Sequence, residues 1–593
     1  MRRAALLCIV LAVSCIATAY AQPQPKKLIE YGWDVPQPST VAANIAAMEK
    51  RPFDGLIMRM PEIGSVFYNT KADEKAPELV KEFAALPKIA WGSFTDNFIC
   101  MYAASTQDWF SDADWEAVLQ RATLCARAAK LGKCKGVCFD YEPYGDNPWT
   151  YSTQKCAKSK TFEETFAQAR KRGAQFMNAL QTEYPGLVMH TFFQLVYFGH
   201  IATEPDEARR VKMLAGEGYG LLPAFVNGML DAAKPDVILT DGNESSYYYT
   251  DPLSFFKAFH SMRQTSLGLV APENRAKYLA QMQAAQALYV DFVFKYWPNP
   301  TPATYMTEEE RAKWWEHNVY YALETSDRYV WLYSEKMNWW TNENLPPGLE
   351  QATASAREKI AKRQPLGFDM KDVMTRARER EAAVLREKLG EKTADVVRAA
   401  QAPVIDGKLD DPVWKATSAL SAFMPYASQP DDSIKAQTLA WVAYDDANLY
   451  IAVRCEEPNM NALHLVGTER DHDVWVGDSV DLFLAPSGTP LPFYHIIVNA
   501  DGIKWDARHS DITENDTGWN PDYKVGIDKG TDHWSIEYAI PWAAIGITPK
   551  AGTKVLANIG RARDAGGVAE HSTWSRCVGG FVEPERFGCW TLK

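Results

Sequence analysis

Gly136-Val137-Cys138-Phe139-Asp140-Tyr141-Glu142-Pro143-Tyr144-Gly145 is an apolar run that stops in two carboxylates. Read as a strand, it puts Asp140 and Glu142 on one face, because side chains alternate along extended backbone. Val137, Phe139 and Tyr141 then take the other face, an apolar layer that suits a strand covered by helices. Paired acids at the C-terminal end of such a strand are where a parallel barrel keeps its proton chemistry. The competing reading is structural: a pair neutralised by a neighbouring Arg or Lys, or a loop-capping Asp beside a solvated Glu.

Outward from this run, short apolar stretches alternate with longer amphipathic ones from Lys27 to about Glu335, the pattern of βα units. Strands are expected at Leu28–Val35, Gly55–Met60, Ile89–Phe94, Gly136–Glu142, Leu187–Leu195, Val237–Thr240, Ala287–Phe294 and Tyr329–Glu335. Helices are expected between them, among them Trp115–Leu131, Phe162–Glu183 and Glu308–Thr325. Eight units close a (β/α)8 TIM-like barrel over residues 22–345. The seventh strand is ambiguous, since Gln281–Phe294 also reads as a continuing helix. An open doubly wound sheet is the rival, and no glycine-rich phosphate loop follows the first strand to support it. Residues 346–401 are rich in Ala, Arg, Lys and Glu, with Ala382, Leu385 and Leu389 at helical spacing, and read as a helical connector. From Ala402 the pattern becomes short alternating strands broken by Asp, Gly, Asn and Pro. Seven of them, Thr438–Ala443, Leu449–Arg454, Ser479–Leu484, Phe493–Val498, Ile503–Asp506, His533–Ala539 and Lys554–Arg561, predict an antiparallel β-sandwich over 402–593.

The chain of 593 residues exceeds what one core organises. Arg2 and Arg3 precede the apolar run Ala4–Ala17, and Ala19-Tyr20-Ala21 supplies small residues for cleavage, so residues 1–21 read as a signal peptide and the protein as exported, periplasmic or extracellular. Ser14-Cys15 faintly resembles a lipoprotein acceptor, but Ala12 stands where Leu is usual. No later stretch is apolar for long enough to span a bilayer. Of 10 cysteines, Cys8 and Cys15 fall in the leader. Export permits disulfides among the rest, with Cys577 and Cys589 a candidate pair. Cys134 and Cys138 lack the second Cys/His pair that a zinc site needs. A net charge of −12 argues against a nucleic-acid partner, which would need a basic footprint. The 20 Trp and 27 Tyr offer flat faces for sugar rings or for core packing.

The second half resembles carbohydrate-binding module family 9. The likeness opens at Val404-Ile405-Asp406-Gly407-Lys408-Leu409-Asp410-Asp411-Pro412-Val413-Trp414 and continues through Tyr444-Asp445-Asp446-Ala447-Asn448-Leu449-Tyr450 and Gly477-Asp478-Ser479-Val480-Asp481 to Trp534-Ser535-Ile536-Glu537-Tyr538 and Asn558-Ile559-Gly560-Arg561. It implies a β-sandwich that grips a sugar chain between aromatic rings, with the platform outside these blocks, among Trp475, Trp505, Trp519 and Trp574; Trp414 and Trp534 are expected in the core. Asp471, Asp473 and Asp478 make a candidate structural calcium site or a solvated acidic loop. No other cofactor or metal is expected. The first half more loosely resembles TIM-barrel glycoside hydrolases. In the large clan with acid and nucleophile on the fourth and seventh strands, the fourth-strand acid follows Asn, from which Asp140-Tyr141-Glu142 departs. Chitinase-like barrels do carry Asp-x-Glu there, but their longer motif needs acids where this chain has Lys135 and Cys138.

Glycoside hydrolysis requires an acid on the leaving oxygen and a second group at the sugar carbon. Glu142 is the expected acid, its proton affinity raised by Asp140 on the same face. Asp241, Glu335 and Asp34 are the candidate catalytic partners, each at a predicted strand end, and each also reads as a salt-bridge or helix-cap carboxylate. Substrate contacts are expected from Asp34, Arg59, His190, Gln194, Tyr197, Tyr248, Tyr333 and Trp339, with Trp475 and Trp505 in the sandwich. His190 also reads as a satisfied interior histidine, Trp339 as a packing residue, and Arg59 as an ion-pair partner of Asp140. The function expected is an exported glycoside hydrolase acting on a poly- or oligosaccharide. The alternatives are a non-catalytic glycan-binding scaffold and a substrate-assisted hydrolase of N-acetylated sugars.

Overall fold

The computed structural model describes residues 25–510, 515–567 and 569–593, so the leader-like segment lies outside the described residues. The chain forms two compact units, one ending at Ala377 and one spanning Arg378–Lys593.

The first unit carries ten strands in one sheet: β1 (Lys27–Gly32), β2 (Gly55–Met58), β3 (Ser65–Phe67), β4 (Phe98–Ser105), β5 (Gly136–Asp140), β6 (Val188–Thr191), β7 (Ile238–Asp241), β8 (Met282–Ala284), β9 (Gln286–Tyr289) and β10 (Tyr329–Ser334). Their order is β8-β7-β6-β5-β4-β2-β1-β10-β9, with β3 attached to β4. Every pairing is parallel. β8 and β9 are one kinked strand, broken only at Ala285, whose two halves pair with β7 and β10. The Ala285 N–H still reaches the Asp241 carbonyl at 2.9 Å. Counting β8 and β9 as one and leaving aside β3, which lies off the path, eight strands close a TIM-like barrel.

The longer helices are α1 (Pro38–Met48), α2 (Pro77–Ala85), α3 (Asp112–Leu131), α4 (Phe162–Glu183), α5 (Leu222–Ala232), α6 (Pro252–Arg263) and α7 (Glu308–Glu324). α3 is capped by Ser111, and α4 and α7 open on Thr161/Glu164 and Thr307/Glu310 capping boxes, which fixes their first turns. Between sheet and helices sits an aromatic layer in which Phe67 contacts Trp109, Trp115, Phe139, Trp149, Phe176 and Phe225. Inside the barrel, Phe192 stacks on Trp331 with centroids 4.0 Å apart.

The third predicted strand is displaced. Ile89–Phe94 is irregular, pinned where the Gly92 and Phe94 N–H groups donate to Glu49 at 2.7 and 3.0 Å. The strand is instead Phe98–Ser105, a longer unbroken apolar run of the kind buried on both faces. The predicted helical connector contains α8 (Leu349–Ala361) and α9 (Lys371–Leu389). α8 packs on α7, with Trp315 Nε1 donating to Thr353 at 2.8 Å and Lys359 paired with Glu316 at 2.7 Å.

The second unit folds as two sheets over one core. Val442, Ile451, Ile536 and Tyr538 face Leu482, Ile496 and Ile559. All seven predicted strands are present, and they are joined by others, including Thr393–Arg398, Lys524–Lys529 and Gly588–Leu592. The sandwich is mixed rather than wholly antiparallel because Thr393–Val396 runs parallel to the final strand in one sheet, then Val397 and Arg398 run parallel to Thr438–Tyr444 in the other. Cys577 and Cys589 are separate thiols. Cys577 Sγ lies instead against the Ser575 carbonyl at 3.7 Å, with Asn558 donating to it at 3.5 Å.

Candidate functional site

At the C-terminal end of the barrel, a cavity of about 150 Å³ is lined by Asp140, Glu142, Glu244 and Glu335, with Tyr31, Tyr144, Tyr247, Tyr289, Tyr333 and Trp297 among its walls. β5 ends at Asp140, and the turn that follows, with the Tyr144 N–H on the Glu142 carbonyl at 3.2 Å, keeps Glu142 over the same opening. The Glu142 N–H donates to Asp140 at 2.8 Å. The Tyr144 hydroxyl is 2.8 Å from both Asp140 Oδ2 and Glu142 Oε2. A phenol has one proton, so the second of these contacts requires a proton held by one of the two acids. Burial, then the charge of Glu142, push Asp140 up to about 7, consistent with a proton retained in the pair near neutrality.

Glu244 was missed in the strand-end reading because it lies three residues past β7. Gly242 approaches the backbone of Thr191 so closely that a Cβ would sit 2.1 Å from its carbonyl oxygen, and Asn243 takes a left-handed conformation (φ 43°). That turn lifts Glu244 into the cavity, where burial, then the charges of Glu142 and Asp140, push it up to about 8. The signal was the Asp241-Gly242-Asn243-Glu244 string itself, a turn dipeptide followed by an acid. Asp241 does not line this cavity. It is fully buried and accepts the Gln194 and Val196 N–H groups, each at 2.9 Å, so its carboxylate fastens the loop after β6.

Glu335, just past β10, has a different setting. Its Oε1 accepts the hydroxyls of Tyr289 at 3.0 Å and Tyr333 at 3.2 Å. Tyr333 in turn accepts the indole N–H of Trp33 at 2.5 Å. In the closed order of eight strands, β5 and β10 stand four places apart, so Glu142 and Glu335 enter from opposite sides of the rim.

In the second unit, Trp475 is 44 % exposed and meets Trp505 edge-on at 5.6 Å. Trp505, 8 % exposed, backs it and packs on His495. Trp414 donates its indole N–H to Glu537 at 2.6 Å, and the Asp406 and Gly407 N–H groups donate to the same carboxylate at 3.0 and 2.7 Å. The Ile405–Trp414 stretch is thereby tied to the Trp534–Tyr538 strand.

Residues 405–593 match the family described as carbohydrate family 9 binding domain-like. The C-terminal unit therefore carries a family 9-like domain. Among solved structures, a family 9 carbohydrate-binding module from Caldicellulosiruptor kristjanssonii in complex with cellotriose is similar, at 18 % identity over 34 % of this chain and 94 % of that one, with a TM-score of 0.27. A GH18 chitinase from Pseudoalteromonas aurantia is similar at 11 % identity over 57 % of this chain and 99 % of its own, TM-score 0.29. A sugar phosphate isomerase/epimerase from Parabacteroides distasonis is similar at 13 % identity over 58 % and 100 %, TM-score 0.25. Likenesses at this level carry no argument about chemistry. No curated protein matches the chain.

Within the family 9-like domain, Trp475 is the exposed ring among the predicted platform residues. Trp574 is buried beside Trp590, and half-buried Trp519 leans on Tyr494. The calcium reading of Asp471, Asp473 and Asp478 does not fit: Asp478 is buried with its oxygens accepting the His464 and Asp564 N–H groups at 2.8 and 3.2 Å. Among the described residues no cluster of three or more His, Cys, Asp or Glu is arranged to hold a metal.

In the barrel, Tyr248 and Tyr333 line the cavity. His190 is wholly buried, hydrogen-bonded to Thr240 at 2.7 Å and pushed down to about 3 by burial, hence a neutral interior residue and not a substrate contact. Gln194 is also buried, its amide 3.4 Å from the Tyr141 hydroxyl, and Trp339 packs against Phe53 with no exposed surface; neither lines the cavity. Tyr197 is exposed beside Tyr219, away from the cavity lining. Asp34 and Arg59 line a neighbouring cleft, and among the described residues Arg59 makes no ion pair, with Asp140 or otherwise. Behind Asp34 lies Glu30, fully buried and pushed well up by burial and then by Asp34. Among the described residues no helix is long and apolar enough to cross a membrane.

Proposed function

We propose that the barrel is a glycoside hydrolase and that the family 9-like domain holds its polysaccharide. The supporting observation is the division of labour around one aromatic-walled cavity. Asp140, Glu142 and Tyr144 share a proton on one side, and a Glu335 carboxylate steadied by two phenols enters from the other. Hydrolysis of a glycosidic bond asks for such a pairing, a proton for the departing oxygen and a carboxylate to attack the sugar carbon or to activate water there. Glu142, half-buried at the mouth, is the donor to the leaving oxygen; Asp140 and Tyr144 resupply its proton. Glu335 is the opposing carboxylate and Glu244 a second acid against the sugar. The leader-like segment supports action outside the cytoplasm, where a polysaccharide would be met.

Reducing-sugar release from a broad polysaccharide and glycan panel tests this. The wild-type chain is expected to release sugar, and Glu142→Gln to lose about a hundredfold or more, the scale of removing a positioned general acid. Equal rates from the two proteins would remove Glu142 from the role. Binding without release by either would leave a glycan-holding scaffold.

A further inference from the structure

Beside the catalytic cavity lies a second, larger cleft of about 980 Å³ that no part of the hydrolytic scheme uses. Trp33, Asp34, Lys50, Arg51, Arg59 and Trp340 line it, together with one face of α1 along its length and Glu350 at the start of α8. Trp33 is the shared wall: 78 % exposed on the cleft, it donates its indole N–H to Tyr333, which lines the cavity. A chain molecule leaving the cavity past Trp33 therefore runs into the cleft.

The two spaces differ in charge. The cavity holds Asp140, Glu142, Glu244 and Glu335 and no Lys or Arg in its lining. In the cleft, Arg51 is paired with Glu350 at 2.7 Å, and the Asp34 carboxylate accepts the Trp339 N–H at 3.1 Å. Lys50 and Arg59 are exposed and, among the described residues, make no ion pair, in a chain whose net charge is −12. The indole N–H of Trp340 is buried here without a hydrogen-bond partner. Flat rings, an unspent indole N–H and two free cations together form a site for a sugar carrying a negative charge.

We propose that this cleft binds an anionic sugar unit, bearing a carboxylate or a sulfate, adjoining the bond held in the cavity. Resting on the hydrolase reading, it names the substrate class as an acidic glycan. The anionic unit is steered to Arg59 and Lys50 and away from the acid-lined cavity, which offers it no cation, and this fixes which residue of the chain faces Glu142.

The test is calorimetric binding to the full chain carrying Glu142→Gln, so that nothing is cleaved. The probes are trigalacturonate and a chondroitin sulfate tetrasaccharide, each beside its charge-neutralised counterpart, methyl-esterified or desulfated and esterified. At least one charged member is expected to bind about tenfold or more tightly than its neutral form, the scale of one charge-assisted hydrogen bond. Arg59→Met with Lys50→Met should erase that preference, and both residues are exposed and unpaired, so the fold should survive, which a thermal melt checks. Which probe responds separates carboxylate from sulfate. Equal binding within both pairs, or a preference that survives the double substitution, overturns the inference. Sugar release by the Glu142-intact chain from neutral glycans alone, with no charged probe bound, overturns it and leaves the hydrolase reading standing. Charge-dependent binding lost in the double variant, with no release from any glycan, overturns the hydrolase reading and leaves the cleft.

Discussion

Tyr144 ties the acids of the site together, since its single hydroxyl hydrogen must serve contacts to two of them. Asp140 at about 7 and Glu244 at about 8 hold protons in the folded protein that the unfolded chain releases near pH 4. The folded state binds more protons between those limits, so their contribution to stability is largest at low pH and is lost as pH rises through about 4 to 8. Glu244→Gln is expected to narrow the drop in Tm between pH 5 and pH 8.5 by about 2 °C or more, measured by calorimetry at both pH values. In catalysis the same protons predict an alkaline limb, with activity falling above about pH 7 to 8 and Tyr144→Phe shifting that limb. In the family 9-like domain, buried Glu457 is held by Arg561 at 3.4 Å and Arg563 at 2.7 Å. Glu457→Ala strips Arg561 of its ion pair in the interior and leaves Arg563 only Glu570, and is expected to destabilise the domain by about 3 to 5 kcal/mol in urea melts.

Which elements the sequence made legible follows from their physics. α3, α4 and α7 declare their starts in side chains, through Ser111, Thr161 with Glu164, and Thr307 with Glu310. β5 was legible because its apolar run ends in paired acids. β4 was not, since Ile89–Phe94 and Phe98–Ser105 lie nine residues apart and only tertiary pairing with β2 and β5 selects the second. β8 and β9 were ambiguous because periodicity cannot anticipate a kink whose purpose is to reach two neighbours. The acids divide similarly: Asp140, Glu142 and Glu335 could be placed by alternation, whereas Glu244 depends on the conformation of Asn243 and Asp241 on a loop elsewhere in the chain. Gly136 shows how tightly β5 is set, since a Cβ there would lie 1.9 Å from the Val188 carbonyl oxygen. Gly136→Ala is expected to destabilise the barrel by about 1 to 3 kcal/mol, read from its denaturant midpoint.

For the whole molecule, two units with separate cores predict separable functions. Trp475→Ala should weaken retention on insoluble polysaccharide while leaving turnover of a short soluble glycoside unchanged, as a pull-down and a rate assay on one preparation will record. The motifs around Trp414 and Glu537 hold the architecture of the sandwich, and the exposed ring at Trp475 lies outside them. The family resemblance therefore reports the scaffold more directly than it reports the sugar.

The break at Ala285 has a consequence for the site several residues away. Because the Ala285 N–H is satisfied by the Asp241 carbonyl while the Asp241 carboxylate grips the Gln194–Val196 loop, one residue clasps the seam of the cylinder and its rim at once. Loosening that clasp would let the wall spread where Glu244 and Tyr289 are mounted, so an acid that the sequence offers as a catalytic partner acts as the keystone that keeps the reagents in register.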